Sequence, residues 1–176
     1  YSHVFDKIDS TVRQLHHGVN KGKGAALKTG LWYIQKHFPR SIVVTADADG
    51  QHRVEDIRRL ANAYRTHSGE LLLGVRTFDQ NDVPLRSRFG NVVTRQILAL
   101  VTKQSISDTQ TGLRAFDTGL VDMMCDVTGD RFEYETNVLL ECSRSGVEVA
   151  EVPIATVYEN GNQQSHFRPV TDSWAI

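Results

Sequence analysis

Several classes of function are excluded by what this sequence lacks. It has only two cysteines, Cys125 and Cys142, in unrelated contexts and without metal-ligand spacing. A disulfide framework is therefore not expected, a reducing compartment is the default, and both thiols read as small buried apolar groups. No run approaches the roughly 20 apolar residues that cross a bilayer. Neither sign of charge is in excess: 20 Lys and Arg face 21 Asp and Glu, for a formal net charge of -1. A nucleic-acid binder usually carries a basic surplus, so nucleic acid is not an expected partner. There is no internal repeat and no low-complexity tract. What remains is a chain of 176 residues, 40% hydrophobic and 23% charged, the composition of one globular domain with a sizeable core. It opens at Tyr1 without a signal-peptide pattern and stops at "DSWAI". Both ends read as cuts through a longer protein.

Hydrophobic patterning alternates between helix and strand. "VFDKIDSTVRQLHH" and "GKGAALKTGLWYIQKHF" are expected to be helical, the second ending at "FPR". "SIVVTAD" is a β-branched run of strand length. "RVEDIRRLANAYRTH" places Val54, Ile57, Leu60, Ala61 and Tyr64 at helical period. "ELLLGV" reads as a buried strand, and "PLRSRFGNVVTRQILALVTKQ" as an amphipathic helix opened by proline. "TGLRAF" is a short strand, "ETNVLLECSRSG" a helix closed by Gly146, and "VEVAEVPIATVY" a final extended segment. Strands alternating with helices imply an α/β fold with a mostly parallel sheet flanked by helices. In such sheets ligands bind beyond the carboxyl ends of the strands.

Asp47 and Asp49 fall at such an end, in "VVTADADGQH". Like charges so close repel unless a cation sits between them. Carboxylates at i and i+2 leaving a strand can hold one divalent ion, and hard oxygen ligands suit Mg²⁺ or Mn²⁺ better than zinc. Gln51 and His52 could add a ligand or a supporting contact. A polar strand-to-helix turn, with Asp49 and Gly50 as turn residues, explains the pair about as well.

"NKGKGAALKTG" fails as a phosphate loop, because Gly18 is followed by only three residues before Gly22-Lys23, and then by Gly24. It remains a glycine-rich turn feeding a helix start, either a generic anion site or a capped helix with solvated lysines. In "SDTQTGLRAF", Asp108 could act as a general base or simply cap a turn, and Arg114 follows close by. Arg86 and Arg88, two apart in a helix, cannot both face the core. His166 and Arg168 in "SHFRPVTDSW" could clamp a diphosphate or lie in an exposed tail.

Taken together, "NKGKGAAL", "TADADGQH", "SDTQTGLRAF", "RFEYETNVLLEC", "EVPIATVY" and "SHFRPVTDSW" occur in an order and at spacings that resemble family 2 glycosyltransferases. The polyprenyl-phosphate branch, the dolichyl-phosphate mannosyltransferase-like enzymes, is the nearest likeness, including bacterial proteins that fuse this domain to a GtrA-like membrane region. The resemblance covers nearly the whole chain. It implies a GT-A fold, a nucleotide-diphosphosugar donor, a polyprenyl-phosphate acceptor and work at the cytoplasmic face of a membrane, reached through segments this chain does not contain. By resemblance Asp47 and Asp49 match the DXD metal motif with Gln51 beside them, for Mg²⁺ or Mn²⁺. Lys23 and Gly24 would lie near the nucleotide, and Asp108 would match the acidic residue near the acceptor. Arg86, Arg88, Arg114, His166 and Arg168 would be phosphate contacts. Family members begin with two further strands, the first ending in a proline-aromatic-asparagine-glutamate signature, and neither is present here. The expected reaction is an inverting in-line displacement. The alternatives are a family 2 enzyme acting on a sugar or glycan hydroxyl, a sugar-nucleotide pyrophosphorylase, and a domain that binds nucleotide sugar without turnover.

Overall fold

The computed structural model describes residues 7–76 and 106–155. The helix expected over "PLRSRFGNVVTRQILALVTKQ", together with Arg86, Arg88, His166 and Arg168, lies outside those residues. Among the described residues four α-helices and four strands follow in order: α1 (Lys23–His37), β1 (Ile42–Thr45), α2 (Val54–Ala63), β2 (Leu71–Arg76), β3 (Arg114–Asp117), α3 (Val121–Asp126), α4 (Glu133–Ser145) and β4 (Val149–Ile154). The strands form one sheet in the order β1-β3-β2-β4. β3 runs antiparallel to both β1 and β2, while β2 and β4 pair in parallel. Three of the four strands therefore point the same way, and β3 is inserted between two of them in the opposite sense.

Leu71, Leu72 and Leu73 of β2 are wholly buried, as a strand covered on both faces requires. α2 packs against all four strands, and α1 packs against α3 and α4. α2 contributes Leu60, and Tyr64 in the turn that follows it is buried too, whereas Val54, on the stripe expected to be apolar, is exposed and Asp56 is buried instead. The Asp56 carboxylate accepts a hydrogen bond from the Ala155 N–H at 3.2 Å, which ties the helix start to the end of β4.

At the far end of the sheet the Tyr64 hydroxyl donates to Asp117 Oδ2 at 3.1 Å and accepts from the Gly69 and Asp117 N–H groups. α4 ends as its sequence suggests. Gly146 takes a left-handed conformation (φ 71°), and the Val147 N–H closes back on the Cys142 carbonyl at 2.8 Å.

The helix expected over "VFDKIDSTVRQLHH" is not formed in its described part, from Lys7 onward. Asp9 is the reason. Its carboxylate accepts from both the Thr11 N–H and the Thr11 hydroxyl at 2.8 Å, and its carbonyl accepts from the Val12 N–H. Such local bonds favour a turn over a helix, and Val12 and Leu15 stay exposed rather than sharing a buried face.

Candidate active site

Because β3 runs against β1 and β2, the segment that leads into it arrives at the carboxyl ends of both. Thr45 at the end of β1 faces Arg114 at the start of β3, and Leu73 of β2 faces the same residue. Two loops therefore meet here: 46–53, which carries Asp47, and 107–113, which carries Asp108. The second is fixed from three sides. The Thr111 hydroxyl donates to the Gly74 carbonyl at 2.7 Å, Thr45 donates to the Gly112 carbonyl at 2.9 Å, and Ser107 donates through both its N–H and its hydroxyl to the Glu151 carboxylate.

Arg114 completes the loop's framework. It is buried, and its guanidinium donates to the carbonyls of Thr111 (2.9 Å), Glu135 (3.0 Å) and Thr109 (3.3 Å). A phosphate contact was expected of this residue from the family resemblance. The structure instead directs it inward, onto the backbone of the loop and of α4. Asp108 is 1% exposed, and one of its oxygens accepts from the Gln110 N–H at 3.3 Å.

The start of α1 reaches the same place. Gly22 adopts φ +100°, and a Cβ there would sit 2.3 Å from the Asp130 carbonyl oxygen. A Cβ on Gly24 would lie 2.7 Å from the Tyr134 Cβ and 2.9 Å from the Asp130 carbonyl carbon. These glycines let the 129–131 segment press against the helix start, where the Asp130 carbonyl accepts from the Ala25 N–H at 3.1 Å. Their absent side chains serve packing, and one donor at the helix N-terminus is already engaged by protein.

That approach delivers Lys23 to a pair of carboxylates. Its Nζ lies 2.7 Å from Asp47 Oδ1 and 3.0 Å from Glu135 Oε2. On the other side His52 Nε2 is 3.7 Å from Asp47 Oδ2. The imidazole of His52, ahead of the Lys23 ammonium, brings the Asp47 carboxyl down to about 2 against the opposing effect of burial. Burial pushes the Glu135 carboxyl up, with Arg114 and Lys23 pulling the other way. For Lys23 burial opposes the charge, but Glu135 and then Asp47 outweigh it and hold the ammonium above its ordinary range. The cation that the paired aspartates required is, for Asp47, a lysine from another element.

Gly112 packs directly on this carboxylate, for a Cβ there would lie 2.3 Å from Asp47 Oδ2. Asp49 is exposed, and its Oδ1 accepts from the Gln51 N–H at 3.0 Å, with Gly50 at φ +81°. The turn is formed, and it carries an exposed second carboxylate on the same loop.

Whether these residues suit a divalent ion can be judged from their donors. Among the described residues no group of three or more His, Cys, Asp or Glu side chains is gathered to hold a metal. The donors are hard oxygens, one already facing a cation. Beside them the largely buried His52 ring leaves Nδ1 without a hydrogen-bond partner. That set fits an ion bound by one or two carboxylates that completes its shell from phosphate and water, and not an all-protein cage.

Glu135 is the residue that sequence reasoning passed over. It lies on the stripe it shares with Leu139 and Cys142, which are buried. A glutamate on the apolar face of a helix is the informative exception to burial rules, and that signal was present in "EYETNVLLEC".

The UDP-N-acetylglucosamine–dolichyl-phosphate N-acetylglucosaminyltransferase of Methanococcus voltae is 31% identical over 148 residues, 82% of this chain and 59% of that protein. The undecaprenyl-phosphate mannosyltransferase of Micrococcus luteus is 26% identical over 159 residues, 85% of this chain and 62% of that protein. The chain thus spans less than two thirds of the length of either relative. Among solved structures, glucosyl-3-phosphoglycerate synthase from Mycobacterium tuberculosis, in complex with Mn²⁺, UDP-glucose and phosphoglyceric acid, matches with a TM-score of 0.60. It is 21% identical, and the match covers 82% of this chain and 49% of that one. At that identity the likeness speaks for the fold alone, and it bears out the expected GT-A arrangement. The family model described as glycosyl transferase family 2 matches residues 3–124, well over half of the sequence, and the chain belongs to that family.

Proposed function

We propose that the protein moves a sugar from a nucleotide-diphosphosugar to a membrane polyprenyl phosphate with inversion at the anomeric carbon. One observation carries this reading: an ionised Asp47, held by Lys23 at the carboxyl end of β1, faces the loop that bears Asp108. The names of the two relatives, which specify dolichyl phosphate and undecaprenyl phosphate, support the acceptor. An oxygen of the acceptor phosphate attacks the anomeric carbon as the bond to the donor's diphosphate breaks, and the nucleoside diphosphate leaves. Asp47 and Asp49, with Gln51 beside them, would hold Mg²⁺ or Mn²⁺. Bound there, the ion would neutralise charge building on the leaving diphosphate.

The chain's own groups supply the rest. Lys23 brings a fixed positive charge to the leaving group. Arg114 holds the 109–111 backbone in place, so that Asp108 meets the acceptor in one orientation. Arg86, Arg88, His166 and Arg168 are proposed as further phosphate contacts. A polyprenyl phosphate is already anionic and needs orientation more than deprotonation, whereas a hydroxyl acceptor needs a base. No helix among the described residues is long and apolar enough to cross a membrane; the lipid acceptor would place the reaction at a membrane surface, for which the cytoplasmic face is proposed.

The test incubates membranes containing the protein with polyprenyl phosphate, Mg²⁺ or Mn²⁺, and labelled UDP- and GDP-sugars, and counts label in the lipid phase. Metal-dependent labelling from one donor, lost in Asp49→Ala, is the expected result. Full labelling in Asp49→Ala would end the metal reading. Asp108→Asn should slow a phosphate acceptor by no more than about tenfold, about 1.4 kcal/mol in the barrier. A much larger loss would favour a hydroxyl acceptor with Asp108 as its base.

A further inference from the structure

Lys23 serves two carboxylates that differ in kind. Asp47 stands at the lip of the site, with its side chain 31% exposed, while the Glu135 side chain is 6% exposed in the first turn of α4. A carboxylate that deep is unfavourable unless a cation compensates it. Arg114 lies near, but its hydrogen bonds go to carbonyls, that of Glu135 among them. Among the described residues Lys23 makes the direct ionic contact. Glu135 is therefore fixed twice, through its carbonyl by Arg114 and through its carboxylate by Lys23. An ammonium has three donors and no acceptor, so it can release one carboxylate and keep the other.

We propose that Glu135 is a positioning residue that acts through Lys23: it tethers the ammonium in the site when a divalent cation takes Asp47. Lys23 then competes with the cation at Asp47 before the donor arrives and faces the donor's diphosphate afterwards. The site has a cation at Asp47 in either state, and Glu135 prevents the displaced lysine from swinging out to solvent. The inference rests on the metal-assisted transfer proposed above.

The experiment measures Mn²⁺ binding to the intact protein by electron paramagnetic resonance, without donor, for the wild type, Lys23→Met, Glu135→Gln and the double variant. Removing the competitor in Lys23→Met should tighten Mn²⁺ binding about tenfold, about 1.4 kcal/mol. Glu135→Gln should weaken it, because the ammonium then rests on Asp47 alone. The double variant should bind as Lys23→Met does, because Glu135 has no lysine left to act through. With Mn²⁺ saturating, UDP or GDP should bind more weakly to Lys23→Met than to the wild type. Lys23→Gln repeats the measurement if Lys23→Met, which leaves Glu135 buried without its cation, melts too early. Unchanged Mn²⁺ affinity on removing Lys23, or a double variant weakened as much as Glu135→Gln alone, overturns the inference and leaves the transferase reading intact. Absence of Mn²⁺ binding in the wild type and every variant overturns both.

Discussion

Gly112→Ala gives the sharpest test of the site. A Cβ at 112 would lie 2.3 Å from Asp47 Oδ2, 2.6 Å from Cγ and 2.7 Å from Oδ1, all far inside contact distance. The glycine cannot retreat, since its carbonyl is bonded to Thr45 and the adjacent Leu113 carbonyl accepts from the Gly74 N–H at 2.8 Å. The carboxylate must move, by roughly 1 Å to regain an ordinary contact. Asp47 is a side-chain terminus and can swing, so the fold should survive with a loss of about 1 kcal/mol, a fall of about 2–4 °C in Tm. What cannot survive is the 2.7 Å contact with Lys23. A displacement of that size at a reacting centre costs about 100-fold in rate. The assay pairs a melting curve with lipid-phase labelling, and adds the double variant with Asp47→Ala. Removing the carboxylate removes the collision, so Gly112→Ala should then change Tm by nothing measurable. Wild-type labelling by Gly112→Ala, or a loss of stability that persists when Asp47 is gone, would refute the reasoning.

Gly24→Ala should invert that pattern. Its Cβ would meet the Tyr134 Cβ and the 129–130 backbone, neither of which can swing aside, so a loss of about 2–3 kcal/mol in urea unfolding is expected. An unchanged unfolding midpoint would show that the helix start is looser than described. Arg114→Met should leave three carbonyls without their donor and lower stability by about 3 kcal/mol. A stable variant that had lost only nucleotide affinity would return Arg114 to a phosphate-binding role. Asp47 should contribute to acid stability with a definite sign. Its carboxyl is lowered from 3.8 to about 2, so the contribution is complete above 3.8 and disappears as pH falls through about 2. The Tm difference between the wild type and Asp47→Asn should therefore be flat above pH 4 and close below it, and a difference that grew in acid would reverse the assignment.

Much of this was legible before the structure. β1, β2, β4, α1, α2 and α4 follow from patterning, because each carries a run or stripe long enough to declare its period. α3 was not seen: six residues, "VDMMCD", are under two turns and have no period to read. The direction of β3 was not legible either, since four residues, "RAFD", look the same in either orientation. At the site, Asp47 and Lys23 were each singled out, but on separate grounds, and their pairing is a tertiary fact between elements that sequence keeps apart. The glycines at 22 and 24 looked like phosphate-binding residues because a close backbone approach and a close ligand approach demand the same missing side chain. Arg114 misled for a related reason, since a guanidinium fits a phosphate and a set of carbonyls equally well. Glu135 was hidden by its setting, a charge inside an apolar helix quoted as a motif and not weighed as a buried anion.

The reversed strand has a consequence for how this protein can change. β3 carries the 107–113 loop in on its amino-terminal side and runs directly into Asp117 and the Thr118–Leu120 turn at the other pole. Inserting one residue between Gly112 and Asp117 would exchange the faces of Ala115 and Phe116, forcing each buried side chain into space packed for the other, and draw Gly112 away from Asp47 in the same step. Lengthening the turn at Thr118 would disturb neither. Length variation among natural or engineered variants should therefore gather at the Thr118 pole and be nearly absent from the five residues before it, making the tolerance of the chain to insertions a map of where its chemistry is held.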